Sequence, residues 1–140
     1  MSVSENPVRA AEELRSAMGD FVRYVREHDT MPRSQTAVLG HLDRSGALPI
    51  AELARRERVR HQSMTRTVGL LAEQGLVALA PGETDRRQVV VTITPAGVRR
   101  LDAERRHRAA FIAAGLDTLN GEERAVVARI PAVLRKLMGD

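Results

Sequence analysis

"HQSMTRTVGLLAEQGLVALAPGETDRRQVVVTITPAG", residues 61–97, changes its hydrophobic period partway along. In the first half Met64, Val68 and Leu71 recur at three- and four-residue steps, which places them on one face of a helix. In the second half Val89, Val91 and Ile93 alternate with Val90, Thr92 and Thr94, the two-residue period of a strand. "LVALAP" supplies a partner strand, and "GETDRR" forms a six-residue tip between the two. Arg86 and Arg87 stand in that tip, where Gly, Asn or Asp would serve a turn better. Two persistent charges there need a reason beyond the turn.

The preceding residues provide one. "PIAELARRE" opens at Pro49 and points Ile50, Leu53 and Ala54 to one side, and only a short break at Arg58 and Val59 separates it from the helix that follows. Two helices so joined form a helix-turn-helix, and with the hairpin directly after it the pattern is a winged helix. The second helix of such a pair is narrow enough to enter the major groove of DNA with its first turns toward the bases. Here those turns are "RHQSMTR", which sets Arg60, His61, Gln62, Ser63, Thr65 and Arg66 opposite Met64 and Val68. From Arg55 to Arg66 five arginines (Arg55, Arg56, Arg58, Arg60 and Arg66) face a single acid, Glu57. A hairpin beside that helix projects toward the adjoining minor groove, whose potential attracts arginine. Arg86 and Arg87 then become DNA contacts, with Asp85 placed to hold one guanidinium.

Residues from about Arg33 to Gly97 resemble the MarR family of bacterial transcriptional regulators. The matching pieces are "SMTRTVGLLAEQGLV" from Ser63 to Val77, "DRR" from Asp85 to Arg87, and "VTITPAG" from Val91 to Gly97. The resemblance implies a homodimer whose first and last helices interlock above two winged-helix lobes. It also implies Arg87 as the minor-groove arginine with Asp85 as its partner, Gln62 to Arg66 as readers of base and phosphate, and regulation by a small-molecule effector. Two departures stand out. Arg58 occupies the turn where the family usually has glycine, and Arg60 replaces the usual Asp or Ser cap. A missing cap costs roughly 1 kcal/mol, and Gly69 within the recognition helix costs about as much again.

The flanking segments read as helices. Asn6 then Pro7 is a cap followed by a first-turn proline, opening a helix to about His28 whose apolar side carries Val8, Ala11, Met18, Phe21, Val22 and Val25. A second helix covers about Arg33 to Arg44, with Val38, Leu39 and Leu42 inward and Gly46 at its left-handed end. Thr94 and Pro95 repeat the entrance signal for a helix from about Ala96 to Ala114 with a thin apolar stripe. Asn120 with Glu123 reads as a capping box for a last helix that is apolar over more than half its girth and should kink at Pro131. So apolar a helix needs a cover that a small monomer lacks. Phe21, Tyr24 and Phe111 are expected in the core, with the lining of an effector cavity as the alternative.

Composition bounds the remaining possibilities. At 140 residues, 43% hydrophobic and 2% aromatic, the chain forms one domain with an aliphatic core. The net charge is +4, Lys136 is the only lysine, and the sequence pI is about 10.8. Without cysteine there is no disulfide framework, thiolate metal site or thiol switch. "MSVSENPVRAAEELRS" has no apolar leader run and no long apolar span follows, so a soluble, cytoplasmic protein without a membrane partner is expected. The four histidines, His28, His41, His61 and His107, show no metal-ligand spacing, and no nucleophile–base pair or phosphate-cradling glycine loop is visible. No metal, cofactor or enzymatic activity is expected.

The expected fold is α+β and mostly α: a winged helix-turn-helix with a two-stranded wing over about residues 31–97, flanked by dimerisation helices at about 6–28 and 98–138. The expected function is a sequence-specific repressor, a homodimer on a pseudo-palindromic double-stranded operator that an effector releases. The alternatives are a constitutive or architectural DNA binder, and a winged helix that binds protein.

Overall fold

The computed structural model describes residues 6–140; the first five residues, part of the stretch read above for a leader, lie outside it. The elements are α1 (Pro7–Arg26), α2 (Arg33–Ser45), β1 (Leu48–Pro49), α3 (Ile50–Glu57), α4 (His61–Glu73), β2 (Val77–Pro81), β3 (Val89–Ile93), α5 (Pro95–Leu116) and α6 (Gly121–Met138). The fold is mostly helical, with one antiparallel sheet in the order β1-β3-β2.

Helix starts follow local chemistry. Asn6 Oδ1 accepts the N–H groups of Val8 and Arg9 at 3.1 and 3.4 Å, satisfying donors that the first turn leaves unpaired. Asn120 Oδ1 accepts the Glu123 N–H at 2.9 Å while Glu123 Oε1 accepts the Asn120 N–H at 3.0 Å, a complete capping box. Pro131 lies inside α6, which is assigned as one helix from Gly121 to Met138. Gly46 does end α2 at positive φ, but its ψ of −159° lies outside the left-handed helical region expected of a cap.

The chain divides into two compact units. One is Asp29–His107; the other comprises the described residues up to His28 together with Arg108–Asp140. In the first unit Val38, Leu39 and Leu42 of α2, Leu53 of α3, Val68 and Leu71 of α4, Val91 of β3 and Leu101 of α5 are almost fully buried together. These are the inward positions that the helical and strand periods select. Hydrophobic burial of this kind is the main stabilising contribution to the unit.

β3 is the central strand. It pairs with β2 from Val77↔Ile93 to Pro81↔Val89, and with β1 through Leu48↔Val91 and Pro49↔Val90. The strand at Leu48–Pro49 was not expected from sequence, because two residues carry no readable period. Pro49 is tolerated there because β1 is an edge strand.

The "TPAG" run joins the sheet to α5. Thr94 Oγ1 donates to the Gly75 carbonyl at 2.7 Å and accepts the Gly97 N–H at 3.0 Å, while the Thr94 N–H reaches the Leu76 carbonyl at 3.1 Å. A Cβ on Gly97 would stand 2.1 Å from the Leu76 oxygen, so no other residue fits. Thr94 and Gly97 thereby fasten the start of α5 to the exit of α4.

In the second unit Tyr24, His28 and Phe111 form an aromatic cluster. The rings of His28 and Phe111 stack with centroids 4.0 Å apart, and Tyr24 lies 5.1 Å from Phe111. The expectation that Phe21, Tyr24 and Phe111 are core residues is incorrect within the chain. Phe21 is 50% exposed, Tyr24 is 56% exposed, and Phe111 is half-buried.

Candidate nucleic-acid interface

The turn between α3 and α4 sets the site. Arg58 adopts φ 53° and ψ 44°, a left-handed conformation that glycine takes more readily and that costs other residues roughly 1–2 kcal/mol. Its N–H and that of Val59 return to Arg55 and Ala54 carbonyls at 3.2 and 3.1 Å, which closes the turn despite the unfavourable residue. Arg60 then caps α4 with extended backbone and no side-chain bond, as the sequence suggested.

From that start the helix divides its faces. Met64 and Val68 are buried, while Arg60, His61, Gln62, Ser63, Thr65 and Arg66 are all exposed. Thr65 Oγ1 donates back to the His61 carbonyl at 2.9 Å and lies 3.4 Å from His61 Nδ1. At the exit of the helix, Gln74 donates through Nε2 to Oε1 of the buried Gln35 at 3.2 Å, tying α4 to α2.

The wing loop, residues 82–88, is held by backbone bonds: Gly82 N–H to the Gln88 carbonyl at 2.9 Å, and Gln88 N–H to the Asp85 carbonyl at 3.1 Å. Asp85, Arg86 and Arg87 are exposed on it. Asp85 does not hold a guanidinium as expected. Its Oδ1 accepts the backbone N–H of Arg87 at 3.0 Å, and no ion pair between Asp85 and arginine forms among the described residues. A short Asp side chain reaches a backbone two residues on more readily than a mobile guanidinium, so it shapes the turn that carries Arg87.

Recognition helix and wing share a cleft of about 180 Å³. Its lining includes His61 at the start of α4, Asp85, Arg87, Gln88 and Val89 of the wing, and Pro49, Ile50 and Ala51 where β1 meets α3. The first three were singled out from sequence. Gln88 and the β1–α3 corner were not, because their place depends on how the sheet folds back.

The arginine excess near the turn is smaller than the sequence count implied. Glu52, one turn upstream of Arg55, binds Arg55 through two bonds of 2.5 and 2.9 Å, and Arg56 at 3.0 Å. Hydrogen bonds from Arg55 and then Arg56 lower the Glu52 carboxyl from 4.5 to about 2, and the same pairing raises Arg55. Arg56 also donates to Ser45 Oγ at 2.9 Å, and Glu57 accepts from His41 at 3.1 Å. Among the described residues the unpaired arginine charge of this region therefore resides on Arg58 in the turn, on Arg60 and Arg66 of α4, and at the wing. No cluster of groups suited to a metal ion occurs among the described residues, and no described helix is long and apolar enough to cross a membrane.

The model of the MarR family matches residues 29–88. An HTH-type transcriptional regulator of Mycobacterium bovis is 36% identical over 126 residues, covering 88% of each chain. The HTH-type transcriptional repressor MdtR of Bacillus subtilis is 30% identical over 101 residues, covering 72% of this chain and 65% of its own. Among solved structures, a MarR family protein from Bacillus stearothermophilus superposes with a TM-score of 0.71 at 23% identity, over 99% of this chain and 100% of that one. Winged helix, sequence relatives and family match agree: the chain belongs to the MarR family of transcriptional regulators.

Proposed function

We propose that this regulator binds double-stranded DNA as a homodimer on a pseudo-palindromic operator and represses transcription there. One observation carries the reading: His61, at the exposed polar start of α4, and Arg87 of the wing line the same cleft. Each protomer sets Arg60, His61, Gln62, Ser63, Thr65 and Arg66 against the major groove. Arg87 enters the adjoining minor groove from a turn that Asp85 shapes, and Arg86 lies along the phosphates. Two copies are supported by α6, whose Val126, Ile130, Val133, Leu137 and Met138 are 43–71% exposed and lack a cover within the described chain. Two-fold symmetry then puts half-sites about one helical turn (~10 bp) apart. Repression follows from occupancy alone, and a relative bearing the name of repressor supports that sign. An effector that altered the separation of the two α4 helices would release the operator.

The test is a footprint on DNA flanking the protein's own gene, together with affinities for that DNA and for random duplex. The preference expected is ~10³ or more at physiological salt. Arg87→Ala weakens operator binding by about 1–3 kcal/mol, whereas Gln62→Ala relaxes base preference. Equal affinity for both DNAs would identify an architectural binder, and Arg87→Ala binding like wild type would remove the wing from the mechanism. Occupancy unchanged by every candidate effector would make the protein a constitutive binder.

A further inference from the structure

The cleft between α4 and the wing has a charge balance that hinges on one residue. Arg87 and Asp85 both line it and contribute one charge of each sign. Pro49, Ile50 and Ala51, its lining from β1 and α3, carry no side-chain charge, and Gln88 and Val89 of the wing add none. On α4 itself, His61 is flanked by Arg60, and Thr65 Oγ1 lies 3.4 Å from its Nδ1. With His61 neutral, the side chains lining the cleft sum to zero. With His61 protonated they sum to one positive charge, which complements the single negative charge of a phosphodiester. A strand of DNA running from the groove that holds α4 to the groove that holds the wing must pass its backbone between these two elements.

We propose that the cleft seats a DNA backbone phosphate, and that His61 takes up a proton as the phosphate docks. The inference rests on the DNA-binding reading above and adds a regulation to it. Histidine ordinarily gains its proton near pH 6.5, so a phosphate beside the imidazole brings its charge within the physiological range. The sign follows from linkage. The bound state favours the protonated ring, so the added affinity is complete below the ordinary histidine range and is lost as pH rises from there through the raised value of the bound state. Gln88, which also lines the cleft, adds an amide donor for the same phosphate. Such a contact carries no base preference, so it strengthens binding to any duplex docked in this register.

The experiment measures affinity for a labelled duplex from the DNA upstream of the protein's own coding region, and for a scrambled duplex, between about pH 6 and pH 8. Wild type, His61→Gln and His61→Lys are compared in the full chain at constant ionic strength. The wild type should lose affinity with rising pH, by up to about tenfold per unit. His61→Gln should be weak at low pH and lack most of that slope, although His28, His41 and His107 remain. His61→Lys, with a permanent charge, should bind at pH 8 as wild type does at pH 6. His61→Gln retaining the wild-type slope would overturn the proposal and leave the operator reading intact. Equal binding of both duplexes with a His61-dependent slope would do the reverse: the phosphate seat would stand and the operator reading would fall.

Discussion

The unit Asp29–His107 and the unit formed by the two chain ends solve the problem of apolar surface differently. In the first, every inward position of α2, α3, α4 and β3 finds a partner from the same unit, and the best-buried side chains have no exposed area. In the second, α1 buries only Val25, and α6 buries no residue, although Leu137 and Met138 are each 71% exposed. The contrast separates two uses of an amphipathic helix. One stripe completes a core that can hold a recognition surface rigid; the other stays exposed on the described chain. A DNA-reading lobe needs the former, because a base contact tolerates little positional error.

Gly97 gives the harshest test of the self-sufficient unit. The Leu76 carbonyl leaves no room for a Cβ and, being backbone, cannot swing aside, while the Ile93 side chain crowds the same position at 2.7 Å. Gly97→Ala should destabilise the protein by about 3 kcal/mol, the upper range for forced overpacking. Thermal and denaturant unfolding would check it. A loss below about 1 kcal/mol would mean that α5 is not clamped to α4 here and that the lobe is looser than its burial implies.

A smaller but more specific effect is expected at Glu104. This carboxylate is fully buried in the middle of an otherwise polar stretch of α5. Oε1 accepts the Thr30 N–H at 3.0 Å, Oε2 accepts from the Thr30 hydroxyl, and Arg100 adds an ion pair at 3.5 Å. Arg100 also donates to the Thr30 carbonyl at 3.1 Å, so one side-chain pair satisfies the N–H, hydroxyl and carbonyl of Thr30 in the connector that leads into α2. Glu104→Ala leaves these donors without an acceptor and should cost about 2–3 kcal/mol, with Glu104→Gln recovering part of it. Hydrogen exchange at Thr30 would report the loss locally. An unchanged Thr30 amide would show that the connector is held by other contacts.

These two residues mark what the sequence could disclose. Helix entrances at Asn6, Thr94 and Asn120 were legible because a cap and the donors it satisfies lie within three residues. The winged helix was legible because its two periods are adjacent and strongly patterned. Glu104 was not, since its partner is 74 positions away and an acid amid "ERRHR" resembles any solvated face. Phe21 and Tyr24 were misplaced because an apolar stripe shows only that a side will be covered, and is silent on whether the cover comes from the same chain. At the candidate site, the exposed faces of α4 and the wing could be read directly. The bond made by Asp85 and the contribution of the β1–α3 corner required the fold.

The recognition helix offers a change of opposite sign. Nothing lies within 4 Å of a Cβ built on Gly69, and its backbone is helical, so Gly69→Ala should stabilise the protein by about 0.5–1 kcal/mol. Operator affinity measured alongside the melting temperature makes the result informative. Higher stability with equal affinity would mean that the glycine serves neither packing nor DNA approach. Higher stability with weaker binding would mean that the duplex comes close to α4 at this point.

The smallest effect concerns Glu52 and tells most about how the charge is arranged. Its carboxyl titrates near 2 in the folded protein, against 4.5 ordinarily, mainly through the Arg55 and then the Arg56 hydrogen bonds. A lowered folded value means that the stabilisation is complete above pH 4.5 and is lost as pH falls toward 2. Solvent screens a pair this exposed, so the contribution is slight. Glu52→Gln should therefore flatten the acid limb of the stability profile a little while leaving neutral-pH stability nearly unchanged. It should also free Arg55 and Arg56, and thereby raise affinity for random duplex and steepen its salt dependence. If the salt slope did not move, Arg55 and Arg56 would lie outside the reach of DNA, and contact would be confined to α4 and the wing.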